Sequence, residues 1–353
     1  MKPSNQPADG LCSSRALGKI IQGFLVYKSI QFVVIALTPT QFDTSSRIFL
    51  SDQLTSKRAL QEFIGKAKIP SFIVNILIDS LEKLVVWDNV YFSDLFVHTI
   101  KYEHLYVFCP LWWRFVKQVN ILGNRPLDEL FYFKLVEAVV IAKLCHLCSA
   151  IVLYFLTKAT FSSSKFFTKN VLNSFALKAS LLYVLSPSGV FLTSSYSEAP
   201  CALLCFSALL LREISMNYSQ FDVASKTSIK NPVIYILSGS LLALAYGVRS
   251  NSILLGTIYL YDLYKHFIWN KNYRDSVLVI LTGSQLVGAL GWANYHAYNI
   301  FCPKRGEWCQ KLVPLLFTYA QAYYWNNGFL HYWTLNNIPN FIFALPTIIL
   351  SIL

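Results

Sequence analysis

The chain has 353 residues, of which 55% are hydrophobic and only 14% are charged, and 30 Lys and Arg against 18 Asp and Glu give it a net charge of +12. Soluble domains carry roughly 25% charged residues, so this composition excludes a soluble globular class, and it also excludes disorder and a disulfide-rich secreted scaffold. The basic residues lie mainly beside apolar runs and form no single stripe, which argues against a nucleic-acid partner. The sequence therefore indicates a membrane protein.

Apolar windows long enough to approach a membrane span recur along the whole chain, and a hydrocarbon core about 30 Å thick requires roughly 20 apolar residues per helix. The first window has basic residues before it, as a signal peptide would, but no small-residue cleavage site precedes Pro39, which favours a retained anchor. The pattern predicts an all-α polytopic fold of about eight spans in one domain, 1–353. The windows are residues 17–37, 130–156, 171–190, 199–211, 232–246, 253–267, 277–298 and 338–353.

The Lys and Arg residues of the short connections predict the orientation. The N-terminus and residues 158–169 and 265–274 are basic and lie on one side if the spans alternate, so that side is expected to be cytosolic. The opposite, lumenal side then receives residues 38–127, 186–198, 247–251 and 297–337. The glycosylation sequon Asn217-Tyr218-Ser219 lies on the predicted cytosolic side and should stay unmodified.

The predicted first lumenal loop, residues 38–127, is too long to lack helices of its own. From Ser71 to Trp87 its apolar residues recur near helical spacing, which predicts an amphipathic helix on the membrane surface. Asp88 follows and is flanked by Trp87, Asn89 and further aromatic residues. Partial desolvation there would raise the basicity of the Asp88 carboxylate and suit it to general-base catalysis. The alternative is that Asp88 only caps the next helix while Trp87 belongs to an interfacial aromatic belt.

Four further groups of polar residues fall on the same predicted side. Glu103 and His104 are a candidate site or a surface pair, and Glu198, after a run of hydroxyl residues, is a sugar contact or a helix cap. Arg249 could bind phosphate through its fork of donors or extend to the interface, and Asn251 follows it. Tyr324, Trp325 and Asn326 suit carbohydrate stacking or an aromatic belt. All of these residues are candidates for substrate binding.

The cysteines give weaker signals. Cys145 and Cys148 have CxxC spacing but no second pair, so they are interpreted as small buried hydrophobic residues, and zinc is not implied. Cys302 and Cys309 lie in the last long lumenal stretch, where an oxidising compartment could join them. The sequence leaves that bond open.

Taken in order, several short motifs resemble the PIG-V mannosyltransferase family over most of the chain. The motifs are Trp87-Asp88-Asn89-Val90-Tyr91-Phe92, Tyr102-Glu103, Leu185-Ser186-Pro187-Ser188, Tyr196-Ser197-Glu198, Arg249-Ser250-Asn251, Tyr324-Trp325-Asn326-Asn327-Gly328-Phe329, Tyr332-Trp333 and Ile338-Pro339-Asn340-Phe341. The resemblance implies a GT-C-type helix bundle of the endoplasmic reticulum membrane that transfers the second, α1,6-linked mannose from dolichyl phosphate mannose to a GPI precursor.

The resemblance also implies an inverting reaction in the lumen with Asp88 as the catalytic base and Arg249 beside the leaving phosphate. No metal and no cofactor are expected. The expected partners are the lipid-linked donor, the GPI-lipid acceptor and, in fungi, a small accessory membrane subunit. Family members usually continue with further hydrophobic helices, which appear absent here because the chain stops at Leu353.

Two other interpretations compete with this one. The first is another mannosyltransferase that uses dolichyl phosphate mannose but acts on a different acceptor. The second is a polytopic transporter, for which ionisable residues should lie near mid-span. Only Lys28, Glu137 and Lys143 do so, and the other polar clusters lie at one edge, which favours an interfacial enzyme.

Overall fold

The computed structural model describes residues 8–39, 43–108, 110–164, 167–186, 188–217, 228–302 and 306–352. The chain divides into two compact units. Unit 1 comprises Met1–Thr99 and Phe108–Gly291, and unit 2 comprises Ile100–Val107 and Trp292–Leu353. The sequon lies partly outside the described residues, which include Asn217 but not Tyr218 and Ser219.

The described chain is almost entirely helical, as its apolar periodicity predicts. The α-helices are α1 (Ala8–Leu37), α2 (Thr44–Ser51), α3 (Leu54–Gly65), α4 (Ser71–Glu82), α5 (Asn89–Leu95), α6 (Pro110–Gln118), α7 (Leu130–Phe161), α8 (Lys169–Val184), α9 (Glu198–Ser215), α10 (Pro232–Val248), α11 (Thr257–Tyr264), α12 (Tyr273–Phe301), α13 (Leu316–Trp325) and α14 (Ile338–Ile352). One antiparallel pair of two-residue strands, β1 (Met216–Asn217) and β2 (Ser228–Ile229), joins α9 to α10. The 3₁₀ helices are Glu103–Phe108, Ser250–Gly256, Glu307–Gln310 and Leu335–Asn337, and Lys265–Trp269 is a π-helix.

Several helices begin where a polar side chain can accept from the unpaired N–H groups of the first turn. Asp43 accepts from the backbone N–H of Ser45 at 3.0 Å at the start of α2. Asn231 accepts from the N–H of Ile234 at 3.2 Å, and Pro232 occupies the first position of α10, where its missing N–H costs nothing.

The helices of unit 1 pack around α7 and α9. Helix α9 packs against both α7 and α10, and α8 packs against α7 and α1. Helices α1, α7 and α8 meet in a buried apolar core. This core comprises Ala16, Ile20, Phe24, Ala150, Tyr154, Ala176 and Val184. The outward residues of α1, such as Leu25, Val26 and Val34, are apolar and more than half exposed, as expected for a helix surrounded by lipid.

Three helices of the described chain are long and apolar enough to cross a membrane. They are Ser14–Leu37, Leu130–Phe161 and Tyr273–Phe301. Helices α10 and α14 are apolar but shorter. Together they make this an all-α membrane protein, while the count of about eight spans stays a prediction.

One predicted span differs in its helical geometry. Residues 253–267 were expected to form a single regular helix, but the structure passes from the 3₁₀ helix Ser250–Gly256 through α11 to the π-helix Lys265–Trp269. Gly256 lies at the junction of the 3₁₀ helix and α11, and a Cβ atom there would lie 2.6 Å from Leu286 Cδ2. Glycine has a low helix propensity, which favours an interruption of the regular helix at this position.

The long segment between α1 and α7 carries the helices α2 to α6, as its length predicts. Helix α4 is amphipathic, with Val74 and Ile78 buried and Phe72 and Ile76 exposed. It ends at Glu82, earlier than the expected Trp87, because residues 83–88 form turns. The exposed apolar residues of α4 suit the predicted position on a membrane surface.

Unit 2 has a core of its own, formed by Tyr106, Ala297, Phe301, Trp308, Leu316 and Ala320. A disulfide bond joins Cys302 to Cys309, whose Cα atoms lie 5.5 Å apart. This bond, which the sequence left open, links the end of α12 to the 3₁₀ helix Glu307–Gln310.

We predict that reduction of the denatured protein exposes two more thiols in the wild type than in a Cys302→Ser, Cys309→Ser double variant. The reason is that only the wild type can release this pair on reduction. The measurement is the mass added by a maleimide reagent with and without prior reduction. An equal increase in the two proteins would show that the bond is absent.

Candidate functional site

Asp88 lies directly after a strained turn that follows α4. Trp87 has a φ of +52°, which is uncommon for a residue with a side chain. Its N–H donates to Asp43 Oδ2 at 2.9 Å, and this hydrogen bond holds the turn. Asp88 occupies the position before the first residue of α5, yet its side chain makes no capping hydrogen bond. The capping alternative therefore does not account for Asp88.

Asn89 holds this turn against the rest of unit 1 through two hydrogen bonds. Its side chain is fully buried, and Nδ2 donates to the carbonyl of Leu84 at 2.8 Å. Oδ1 accepts from Ser195 Oγ at 2.6 Å. Both ends of the amide are thus bonded to protein, which fixes the turn that carries Asp88, and the substrate contact assigned to Asn89 from the sequence stays a prediction.

The hydroxyl run before Glu198 is buried, and all of its hydroxyl groups except that of Ser194 are hydrogen-bonded among the described residues. Thr193, Ser194, Ser195, Tyr196 and Ser197 are all at most 3% exposed. The Tyr196 hydroxyl donates to the carbonyl of Val86 at 2.8 Å, and Trp112 Nε1 donates to the carbonyl of Ser195 at 2.9 Å. These bonds hold the segment 193–197 against the turn that carries Asp88, and they leave sugar contact to neighbouring residues.

Glu198 and Arg249 meet where the N-terminus of α9 adjoins the C-terminus of α10. Arg249 Nη1 lies 2.5 Å from Glu198 Oε1 and 3.4 Å from Ser197 Oγ. The negative Glu198 lies at the N-terminus of α9 and the positive Arg249 at the C-terminus of α10, so the helix dipole stabilises both charges. Arg249 is therefore held in an ion pair within the fold, and the alternative in which it only extends to the membrane interface is not what the structure shows.

The three charges of Asp88, Glu198 and Arg249 interact. Loss of hydration raises the pKa of the Asp88 carboxyl, although its side chain is open to solvent on one side, and the Arg249 guanidinium acts in the opposite direction. Burial also raises the pKa of Glu198, with Arg249 lowering it and the Asp88 charge adding to the rise. We call Asp88, Glu198 and Arg249 the charged triad.

Both remaining polar groups of the ion pair point to an additional ligand. Glu198 Oε2 is buried and has no hydrogen-bond partner among the described residues. Within that same part of the chain, Arg249 donates only through Nη1. Buried acceptors are normally satisfied, so the triad is prepared for a substrate that both donates and accepts hydrogen bonds.

Comparisons with known proteins agree over the whole chain. A family model described as Mannosyltransferase (PIG-V) matches residues 17–353. The chain belongs to the PIG-V mannosyltransferase family. It is similar to GPI mannosyltransferase 2 of Candida albicans, with 40% identity over 336 residues that cover 95% of this chain and 78% of that protein. Similarity to GPI mannosyltransferase 2 of Saccharomyces cerevisiae is 33% identity over 93% of this chain and 75% of that protein.

The corresponding protein of Yarrowia lipolytica is 32% identical over 94% of this chain and 75% of its own length. No solved structure matches the chain. The predicted family is thus confirmed. Because no solved structure matches, the site of this PIG-V family member is described from contacts within its own chain.

Unit 2 of this PIG-V family member contains a second cluster of candidate residues. Glu103 accepts from Trp308 Nε1 and from the Tyr324 hydroxyl, each at 2.9 Å. The His104 ring stacks on Tyr102 with centroids 5.7 Å apart and contacts Tyr324 at 4.9 Å. Loss of hydration lowers the pKa of His104, with Glu103 opposing the shift, which favours the neutral ring.

The remaining candidates lie at chain turns. In unit 2, Trp325 ends α13, and Asn326 follows with a left-handed φ of +51° that closes the helix. In unit 1, Trp87 is 54% exposed and stacks on Phe191 at 5.8 Å, and Asn251 is exposed in the 3₁₀ helix after Arg249. Trp87 and Asn251 are accessible to a substrate.

Sequence reasoning missed the residues that position the site. Ser195 and Trp112 fasten the segment before Glu198, and Trp308 orients Glu103. The sequence of a serine run does not show which hydroxyl group will form a buried hydrogen bond to another segment. A tryptophan between two cysteines that form a short disulfide loop was the only available signal for Trp308.

We predict that Asn89→Ala destabilises unit 1 by about 1–3 kcal/mol, because the carbonyl of Leu84 and the hydroxyl of Ser195 both lose a buried partner. The measurement is thermal unfolding of the purified protein in detergent. Asn75→Ala is the matched control, since Asn75 is exposed and contacts only Gln61 at 3.3 Å. Equal melting temperatures for Asn89→Ala and the wild type would contradict the positioning role.

Proposed function

We propose that this PIG-V family member transfers mannose from dolichyl phosphate mannose to a GPI precursor, adding the second mannose through an α1,6 link with inversion. The names of its relatives support the GPI acceptor. The observation that carries the proposal is the uncapped carboxylate of Asp88 beside the Glu198–Arg249 ion pair. A carboxylate that caps no helix and whose pKa is raised suits the role of a general base.

Asp88 is assigned as the general base. The C6 hydroxyl of the acceptor mannose gives its proton to the Asp88 carboxylate while its oxygen attacks C1 of the donor mannose. The C1–O bond to the phosphate breaks at the same time, and dolichyl phosphate leaves from the opposite face. Attack from that face converts the β-linked donor into an α-linked product. The raised pKa of Asp88 makes its carboxylate a stronger base than an ordinary aspartate.

Arg249 is assigned to the leaving phosphate. The departing group is already anionic, so it requires a cation and no proton donor. The guanidinium presents further N–H donors in a geometry that matches phosphate oxygens, and a preorganised charge in a poorly hydrated site stabilises developing charge strongly. The Glu198 ion pair fixes the guanidinium, while Glu198 Oε2 accepts from a sugar hydroxyl. No metal ion or cofactor is required for this chemistry.

The cluster of Glu103, His104 and Tyr324 in unit 2 is assigned to sugar binding. Aromatic faces stack on the apolar faces of sugar rings, and a carboxylate accepts from their hydroxyls. The partly buried Trp325 and the exposed Asn326 extend this surface. Glu103, Tyr324, Trp325 and Asn326 belong to motifs that the family resemblance singled out, and His104 directly follows one of them.

We place both clusters in the lumen of the endoplasmic reticulum, within a bundle of about eight spans. The disulfide Cys302–Cys309 supports this placement, because such bonds persist in oxidising compartments. The basic residues of the N-terminus and of segments 158–169 and 265–274 support a cytosolic location for the other side. A small accessory membrane subunit is part of the proposal for the assembled enzyme.

We predict that Asp88→Asn lowers kcat by roughly 10²–10⁴-fold, the usual contribution of a general base. The assay measures conversion of a one-mannose GPI lipid into a two-mannose lipid by the purified protein with dolichyl phosphate mannose. Asp94→Asn is the matched control, because Asp94 lies on the same helix α5 and pairs with His98 at 2.7 Å. Full activity of Asp88→Asn would remove the base assignment, and a product from a different acceptor alone would overturn the GPI assignment.

A second prediction concerns pH. Because the base must be deprotonated and its pKa is raised, kcat/KM should fall with decreasing pH at values above the ordinary aspartate pKa of about 3.9. Arg249 lowers the pKa of Asp88, so Arg249→Gln should move this acidic limb to higher pH and raise KM for the donor. Arg249→Lys keeps the charge and should leave the limb near its wild-type position. An identical pH profile in all three proteins would contradict the coupling of the two residues.

A further inference from the structure

A groove that the proposed reaction does not use lies on the buried face of α4. Its volume is about 260 Å³, and its walls come from α1, α3, α4 and α7 with one residue of the segment before Glu198. Most of the lining is aliphatic, including Ile35, Leu60, Leu77, Leu81 and Val140. Pockets that enclose whole small molecules measure roughly 300–1,000 Å³, so this groove accommodates a part of a larger apolar molecule.

Two lysines, Lys28 of α1 and Lys143 of α7, break this apolar lining. Lys28 Nζ donates to Thr193 Oγ1 at 2.7 Å, to Gln31 Oε1 at 3.0 Å and to the carbonyl of Leu192 at 3.3 Å. These acceptors are neutral. In the described part of the chain, no carboxylate lies within ion-pair distance of either lysine, and the two ammonium charges repel each other.

Two unpaired cations in an apolar groove are unfavourable without an anion. Both lysines are half-buried, and ionisable residues inside a membrane protein usually mark a site where a ligand or ion acts. An anion with an attached hydrocarbon chain satisfies both features, because the chain covers the aliphatic lining and the anion neutralises the lysines. A lipid phosphate has this chemistry.

The groove adjoins both segments that carry the charged triad. Thr193, at one end, is five residues before Glu198 and belongs to the buried run described above. Leu84, on another wall, is four residues before Asp88, and its carbonyl accepts from Asn89. A lipid in the groove therefore lies beside the backbone that positions the base.

We propose that this groove binds the phosphodiester and one acyl chain of the phosphatidylinositol part of the acceptor lipid. The proposal rests on the function proposed above, because that reaction brings together two lipids, each with a phosphate. Arg249 is assigned to the phosphate of the donor, which must reach the reacting carbon. Lys28 and Lys143 form a separate positive region, which is assigned to the phosphate of the acceptor lipid.

Photo-crosslinking tests this assignment without requiring activity. The full-length protein in nanodiscs is irradiated with phosphatidylinositol that carries a diazirine in one acyl chain, and crosslinked peptides are identified by mass spectrometry. We expect crosslinks on α4 and α7 that fall at least about tenfold in Lys143→Glu, the loss expected for one hydrogen bond to a charged group. Lys178→Glu is the control, because Lys178 is exposed on α8. Equal crosslinking of Lys143→Glu and the wild type would overturn the proposal.

Steady-state kinetics then separates acceptor from donor. We expect Lys143→Gln to raise KM for the one-mannose GPI lipid at least about tenfold while KM for dolichyl phosphate mannose stays at its wild-type value. A rise in KM for the donor alone would assign the groove to the polyprenyl phosphate and overturn our choice. Wild-type protein that crosslinks the probe but transfers no mannose would refute the proposed function and leave the lipid site standing. Transfer without crosslinks on α4 and α7 would refute the site alone.

Discussion

The hydrogen bond from Ser195 to Asn89 is the interaction on which the arrangement of unit 1 depends most. It joins two segments 106 positions apart in sequence, one carrying Asp88 and the other leading to Glu198. Because Asn89 also holds the carbonyl of Leu84, the turn before Asp88 has one backbone geometry, and Trp87 takes a left-handed conformation. A base and its neighbouring charges must be held within fractions of an ångström for efficient catalysis, and a short buried hydrogen bond at this junction provides that constraint.

The charge of Arg249 acts on two carboxylates, those of Glu198 and Asp88. Glu198 lies at the start of α9 in a poorly hydrated position, and its ion pair with Arg249 favours the charged form. Loss of hydration is nevertheless the larger effect on both carboxyls, and the pKa of each is raised. Among the described residues Asp88 has no direct ion pair, so the guanidinium holds Glu198 in place and acts on Asp88 through its charge at longer range. An interaction at contact distance is less weakened by solvent than one between separated charges.

The sequence predicted the helical class, the amphipathic helix α4 and the candidate residues of the triad, because each depends on local periodicity or residue chemistry. It could not separate Asn89, which is buried, from Trp87, which is exposed, since adjacent residues in a turn differ only through tertiary packing. The roles of Ser195 and Trp112 depend on partners 83 or more positions away. The sequence also did not show that the helix type changes along residues 250–269.

The distribution of polarity in unit 1 restricts how a substrate can enter. The outward faces of α1 and α4 are apolar, whereas Lys28 and Lys143 line the groove between these helices and α7. A water-soluble anion would have to cross the apolar outer residues to reach the lysines, at a large cost in hydration energy. A lipid phosphate carries its own hydrocarbon chain, and burial of that chain against the aliphatic lining offsets part of the hydration that the phosphate loses on entry. The same apolar surface that anchors the protein in the membrane therefore selects substrates that are themselves membrane lipids.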